Sequence, residues 1–123
     1  MNQNELSYQI RGAIFEVYNT LGPGLLESVY EEALCFELTQ RGLKYERQKS
    51  VPLVYKGQEL QSDLRLDILV EDEVVIELKA VDKIQSVFFK QLKTYLRLTG
   101  KHLGILVNFS SYDLKSEIHR VIL

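Results

Sequence analysis

The segment that most constrains the fold of this chain is LRLDILVEDEVVIELKA, residues 64–80 of 123. Two apolar runs rich in Val, Ile and Leu flank the acidic turn EDE, which is typical of a β-hairpin. Three charged residues, Asp67, Glu77 and Lys79, interrupt the apolar runs. These side chains either point into water or are gathered at one place for chemistry, and the register of the hairpin decides between the two.

The length of the loop predicts the register of this hairpin. If residues 71–73 form a three-residue loop, Val70 faces Val74, and the same register sets Asp67 directly opposite Glu77. Opposed side chains have Cβ atoms roughly 5 Å apart. Two carboxylates at that distance need a shared proton or a cation between them. Mg²⁺ is typically bound through one or two carboxylates with water and phosphate, so the register predicts a divalent-metal site.

The same register pairs Arg65 with Lys79, one step along the strands. It also predicts that alternate residues share one sheet face, namely Leu64, Leu66, Ile68 and Val70. On the face of the acids, Lys79 would steady a hydroxide or a charged transition state. The alternative is a solvated sheet face on which Lys79 or Arg65 neutralises the acids, because polar-out alternation is the norm for half-exposed sheets. A two-residue loop would also change the parity and separate Asp67 from Glu77.

Hydrophobic periodicity predicts the elements around the hairpin. The segments with helical spacing are residues 4–21, about 25–41, and 83–99. The segments with strand composition are residues 44–60, with a turn at YKGQ, and residues 102–109, while the last residues form a short helix or strand. Asn4 is the expected N-cap of the first helix, and Gly42 and Gly100 end the other two. This order predicts one α/β domain over residues 1–123, with helices flanking a mixed central β-sheet.

Composition excludes several classes of protein. A hydrophobic content of 46% and a charged content of 26% are typical of a soluble globular chain. We find no apolar run long enough for a bilayer and no signal peptide, and the single cysteine, Cys35, is expected to be a buried inert thiol, so a cytoplasmic location is expected. The net charge of −2 weighs against a DNA-packaging or membrane-surface protein, but it leaves a local basic face open.

The second predicted helix carries a carboxylate on its apolar stripe. At about 100° per residue, Glu27 falls within the arc of Tyr30, Leu34 and Leu38, and Glu31 lies on its flank. An unpaired carboxylate that faces the core is costly, which favours a role for Glu27 in a site. Alternatively, Glu27 only meets the dipole of the first helical turn.

These positions resemble the motifs of a known family. GLLESVY, residues 24–30, matches the GxxExxY pattern that names a family of small prokaryotic proteins, which is similar in its core to the PD-(D/E)XK nuclease superfamily. Asp67 and ELK at residues 77–79 match the superfamily's D…ExK motif, although Leu66 stands where the name of the motif has proline. QLKTY at residues 91–95 resembles the QxxxY motif of the RecB-like branch.

The resemblance implies a restriction-endonuclease-like core and a nuclease site that uses Mg²⁺ or Mn²⁺. In that site Asp67 and Glu77 would hold the metal, helped by the Leu78 carbonyl. Glu27 would complete or orient the ligands. Lys79 would position the attacking water and stabilise the developing negative charge.

The third predicted helix and its flanks carry a stripe of basic residues, in which Lys83, Lys90 and Arg97 recur every seven residues and two further lysines lie close by. The further lysines are Lys93 and Lys101. Beside a carboxylate site, such a stripe would hold nucleic-acid phosphates, whereas otherwise it is only a solvated helix face. Gln91 would then orient a water or a substrate phosphate. Tyr95 would brace Gln91, or it is simply a core residue.

Two functions from different classes follow. The first is a metal-dependent nuclease that acts on nucleic acid, which the intact acid–acid–lysine set favours because a pure binder would not need it. The second is a non-catalytic module that keeps the nuclease fold and binds nucleic acid or a protein partner. The net charge of −2 and the small size favour the second. We expect no membrane partner, and a homodimer stays open because a small nuclease that cuts both strands would often pair.

Overall fold

In the computed structural model, which describes residues 1–123, three helices surround one five-stranded sheet. The helices are α1 (Gln3–Leu21), α2 (Glu27–Gln40) and α3 (Ser86–Thr99). The strands are β1 (Tyr45–Tyr55), β2 (Gln58–Val70), β3 (Val74–Lys79), β4 (Leu103–Asn108) and β5 (Ile118–Ile122), and a short 3₁₀ turn, Leu114–Glu117, precedes β5. The spatial order is β1-β2-β3-β4-β5, and only β3 and β4 are parallel. The predicted mixed sheet with flanking helices is confirmed.

The sheet has a hydrophobic core on each face. On one face α1 and α2 pack on alternate residues of β3 and β4, such as Ile76 and Ile105. On the other face α3 packs through Leu92 and Leu96. A Cβ added to Gly104 of β4 would lie 2.9 Å from the Leu92 side chain, so the glycine lets α3 approach the sheet closely.

The position of β3 explains its composition. It lies between β2 and β4 and is covered on both faces, which suits the nearly continuous apolar run of residues 74–78. A parallel neighbour requires a crossover connection, and α3 supplies it between β3 and β4. Because α3 runs back across the sheet, its first turns lie near the end of β3 that carries Glu77 and Lys79.

Several predicted boundaries differ from the structure. The N-cap of α1 is Asn2 rather than Asn4, because the Asn2 side chain accepts a hydrogen bond of 2.8 Å from the Glu5 backbone N–H while its amide bonds the Glu5 carboxylate. Helix α3 begins at Ser86, so Lys83 precedes it. None of the three helices combines the length and the apolar character that a membrane span requires.

The predicted alternation of β2 is wrong on one side of Asp67. Leu64 and Leu66 pack in the core under α3, whereas Ile68 and Val70 pack in the core under α1 and α2. The change of face coincides with an irregularity in β1, where Gln48 adopts a left-handed φ of 53° and is skipped in the ladder opposite Asp67. Beyond this point β2 leaves β3 and pairs with β1 alone, as a two-stranded ribbon.

Candidate functional site

Strands β2 and β3 separate where the acidic residues lie. The paired residues are Val70 with Val74, Leu69 with Val75, and Ile68 with Ile76, which confirms the predicted register. One step further, side chains replace the backbone ladder. The Leu78 N–H donates to Asp67 Oδ2 at 2.9 Å, and the Asp67 N–H lies 3.3 Å from Glu77 Oε1. The two carboxyl groups therefore converge in the gap between the strands.

The lysine of the hairpin forms no salt bridge with these acids, although its charge lowers the pKa of both Asp67 and Glu77. Lys79 makes no ion pair within the chain, and its Nζ lies 4.5 Å from the centre of the Phe88 ring. The expected pairing of Arg65 with Lys79 is wrong, because the β2–β3 ladder ends before it and Arg65 pairs with Ser50 of β1 instead. Lys79 thus keeps a half-buried ammonium group beside the carboxyl pair.

Burial makes the ionisation of both carboxyls unfavourable. Glu77 is only 7% exposed. Burial, then the charge of Asp67 and a hydrogen bond with it, raises the pKa of Glu77 to about 9. Burial also raises the pKa of Asp67, against the opposing effect of the Leu78 N–H bond. Without a cation, the pair therefore retains a proton at neutral pH.

The charges of this pair also shift the pKa values of two further side chains. Burial and then the charge of Asp67 raise the pKa of Glu27, while Lys79 lowers it. Burial and then the charges of Glu77 and Asp67 raise the pKa of Tyr95. Glu27 from α2 and Tyr95 from α3 thus approach the carboxyl pair from different elements of the fold.

The turn before α2 places Glu27. Tyr30 is fully buried and stacks on Phe109, with ring centroids 4.6 Å apart. Its hydroxyl donates to the Gly22 carbonyl at 2.5 Å and accepts from the Leu25 N–H at 3.0 Å. These bonds hold the loop over residues 22–25 and so determine where α2 begins. The tyrosine of GLLESVY therefore fixes the start of the helix from which Glu27 approaches the carboxyl pair.

Asn108 holds the end of β3. Its amide donates to the Val81 carbonyl at 2.8 Å, and its oxygen accepts from the Val81 N–H at 3.1 Å. The Phe109 N–H also donates to the Lys79 carbonyl at 2.9 Å. The segment that carries Glu77 and Lys79 is therefore tied to β4, an arrangement that sequence reasoning missed. In the sequence, a polar asparagine at the end of the apolar run LGILVN is the feature that could have indicated this role, and the structure shows that it is buried.

Comparison with protein families identifies the fold family. The family model described as PD-(D/E)XK nuclease superfamily matches residues 4–121. The chain belongs to the PD-(D/E)XK nuclease superfamily. No curated protein and no solved structure gave a significant match. The GxxExxY branch stays a prediction, while the mixed sheet and three helices agree with the restriction-endonuclease-like fold of the superfamily.

The donor groups of the site fit the divalent metal that nucleases of this superfamily generally use. No three Asp, Glu, His or Cys side chains are close enough to enclose an ion by themselves. Asp67 and Glu77 nevertheless supply two adjacent carboxyls, which is the usual protein contribution to a Mg²⁺ site. The N–H and C=O of a strand residue point the same way, so the Leu78 carbonyl also faces β2. An all-oxygen donor set suits Mg²⁺ or Mn²⁺.

A buried glutamate outside the predicted set supports the same region. Glu31 is 5% exposed and accepts from Arg47 Nε at 2.8 Å and from Gln48 Nε2 at 3.0 Å. Gln48 is the left-handed residue opposite Asp67, so Glu31 restrains the irregularity at which β2 changes face. The negative charge of Glu31 also raises the pKa of Asp67 and of Glu27. In the sequence, the spacing of one helical turn between Glu27 and Glu31 is the feature that could have indicated that both lie on the same side of α2.

We expect Glu31→Ala to lower the free energy of unfolding by roughly 1–3 kcal/mol, because it leaves the Arg47 and Gln48 side-chain donors without their acceptor and removes the restraint on the left-handed backbone at Gln48. Urea unfolding in EDTA measures the change. Glu32→Ala is the matched control on the same helix, since Glu32 is exposed and forms no ion pair, and a change within about 0.5 kcal/mol is expected. Equal effects of the two substitutions would contradict the proposed restraint.

The basic residues of α3 lie on its solvent face. Lys90, Lys93 and Arg97 are exposed, and at about 100° per residue they lie roughly 140–160° around the helix from Tyr95. Lys101 is paired with Asp72 at 3.1 Å, near the start of β3 and so at the opposite end from Glu77. The structure therefore does not gather this stripe around the carboxyl pair.

Gln91 and Tyr95 lie closer to the site on α3. Tyr95 is half-buried and packs against the core under the helix. Gln91 is exposed and lies about 40° from Tyr95 around the helix, because the two are four residues apart. Tyr95 is thus both a packing residue and a neighbour of the acids, and Gln91 lies on nearly the same side of α3 as Tyr95.

Proposed function

We propose that this protein is a Mg²⁺- or Mn²⁺-dependent nuclease that hydrolyses phosphodiester bonds in nucleic acid. The observation that carries the proposal is the convergence of the Asp67 and Glu77 carboxyls where β2 and β3 part. Membership of the nuclease superfamily supports the reaction class. Two adjacent carboxyls in a buried gap are hard to explain as structure alone, because without a cation they must keep a proton that an exposed carboxyl loses at neutral pH.

In this proposal the acids hold the ion and the remaining groups act on the substrate. Asp67 and Glu77, with the Leu78 carbonyl, would be the protein ligands, and Glu27 would complete or orient them. A bound divalent ion lowers the pKa of water and offsets charge on the scissile phosphate. Lys79 would position the attacking water and stabilise the developing charge, which its unpaired ammonium group allows.

The residues of α3 would contact the substrate around the scissile phosphate. Gln91, one helical turn before Tyr95 on nearly the same side of α3, would orient the water or a phosphate oxygen, and Tyr95 would brace it. The basic residues assigned to phosphate binding are Lys83, Lys90, Lys93 and Arg97. Since three of them lie on the far side of α3, we assign them to flanking phosphates rather than to the phosphate that is cleaved.

A second candidate is a nuclease fold that binds nucleic acid or protein without cleaving. The observation that favours it is the separation between the basic stripe of α3 and the carboxyl pair, together with a net charge of −2. In this case binding would depend on Lys90, Lys93 and Arg97 and would not need a divalent ion.

Incubation with labelled single- and double-stranded DNA and RNA distinguishes the two candidates. We expect cleavage of at least one substrate with Mg²⁺ or Mn²⁺ and none with EDTA, because the proposed reaction needs the bound ion to activate the water and to offset the charge of the phosphate. Calorimetry with Mg²⁺ alone should show binding that is lost in Asp67→Asn. Binding of nucleic acid that is unchanged by EDTA, without any cleavage, would support the second candidate and overturn the first.

A further inference from the structure

A groove lies between α1 and α2 on the side of these helices that faces away from the sheet. Its volume is about 430 Å³. The apolar residues that line it are Val17, Leu21, Val29, Ala33 and Phe36. Phe36 is 61% exposed, although it is a large aromatic side chain. Contiguous exposed apolar side chains of this kind mark interaction surfaces more often than isolated ones do.

Three glutamates surround this apolar floor. Glu16 of α1 and Glu32 and Glu37 of α2 line the groove. None of them takes part in the three ion pairs of the chain, and their side chains form no hydrogen bond. The groove therefore combines an apolar floor with an uncompensated negative rim.

The groove is separate from the nuclease site. On α2, Val29 and Phe36 lie roughly 160–180° around the helix from Glu27, which faces the carboxyl pair. The acidic rim would repel the phosphates of nucleic acid and the headgroups of anionic lipids. A second copy of the chain offers no obvious occupant either, because the apolar side of its basic helix, with Leu92 and Leu96, is buried in its own core.

We propose that the groove binds a basic amphipathic helix of a partner protein. Apolar side chains one helical turn apart on the partner would fill the floor formed around Phe36, and flanking Lys or Arg side chains would pair with Glu16, Glu32 and Glu37. This is the helix-in-groove mode of recognition. Because the groove and the carboxyl pair lie on different sides of α2, the partner would bind while the nuclease site stays open to substrate.

The test uses the full chain and a labelled model peptide of about 18 residues, built from Leu at helical spacing with Lys and Ala elsewhere. Fluorescence anisotropy should show binding of this peptide. A matched peptide with Glu in place of Lys should bind at least about tenfold more weakly, since the rim is acidic. Equal affinity for the two peptides, or no binding of the Lys peptide, would overturn the proposal.

Variants locate the binding. Phe36→Ala should weaken the Lys peptide about tenfold and leave both folding and metal-dependent cleavage unchanged, because the side chain is exposed and far from the acids. Glu32→Lys combined with Glu37→Lys should weaken the Lys peptide and strengthen the Glu peptide. Glu59→Lys, an exposed charge reversal on β2, is the matched control. Unchanged peptide affinity in Phe36→Ala, or sedimentation that shows a dimer lost in this variant, would overturn a partner helix as the occupant.

Discussion

Lys79→Ala is expected to reduce metal-dependent cleavage by a factor of about 10²–10³, because one charged group that stabilises the transition state is removed. The fold should tolerate the change. The ammonium group makes no ion pair, and its contact with the Phe88 ring, 4.5 Å from Nζ to the ring centre, is the interaction that is lost. Such a contact contributes about 0.5–2 kcal/mol. Initial cleavage rates and urea unfolding measure the two effects separately.

Two other variants separate the role of the lysine from that of the acids. Asp67→Asn should abolish both cleavage and Mg²⁺ binding, whereas Lys79→Ala should only slow cleavage, by the factor given above, and retain Mg²⁺ binding in calorimetry. Lys115→Ala, at an exposed lysine of the 3₁₀ turn, is the matched control and should cleave at the rate of the unsubstituted protein. A Lys79→Ala protein that cleaves as fast as this control would refute the role assigned to the ammonium group.

The pairing of the hairpin could be predicted because it depends on local features. A three-residue loop and the alternation of strand side chains are enough to place Asp67 beside Glu77. The change of face before Ile68 could not be predicted in the same way. It depends on a left-handed φ of 53° at Gln48, and a glutamine, unlike a glycine, gives no sequence signal for that conformation.

Supporting groups escaped prediction because their partners are distant in sequence. Asn108 bonds Val81, and Glu31 bonds Arg47 and Gln48, so the role of each depends on the tertiary fold. The spacing of the basic residues on α3 was visible in the sequence. The burial of Leu92 and Leu96 was predictable from their helical spacing as well, but the distance between the basic residues and the acids was not, because it depends on where α3 crosses the sheet.

The pH dependence of stability should be unusual for a protein with buried acids. The pKa of Glu77 is raised from 4.5 to about 9 in the fold, so between these values the folded chain holds a proton that the unfolded chain has lost. Stability without metal must then fall as pH rises across this window, at up to about 1.4 kcal/mol per pH unit. The raised pKa of Asp67 acts in the same direction.

Urea unfolding in EDTA tests this dependence. The measurements run from about pH 5 to about pH 9, which covers the range between the ordinary and the raised pKa of Glu77. Glu77→Gln should flatten the profile and increase stability at the alkaline end, because its neutral amide cannot ionise. Mg²⁺ should stabilise the unsubstituted protein increasingly as pH rises, since the ion displaces the proton of the pair. A profile of equal slope in Glu77→Gln, or stabilisation by Mg²⁺ that does not change with pH, would show that this carboxyl does not control the site.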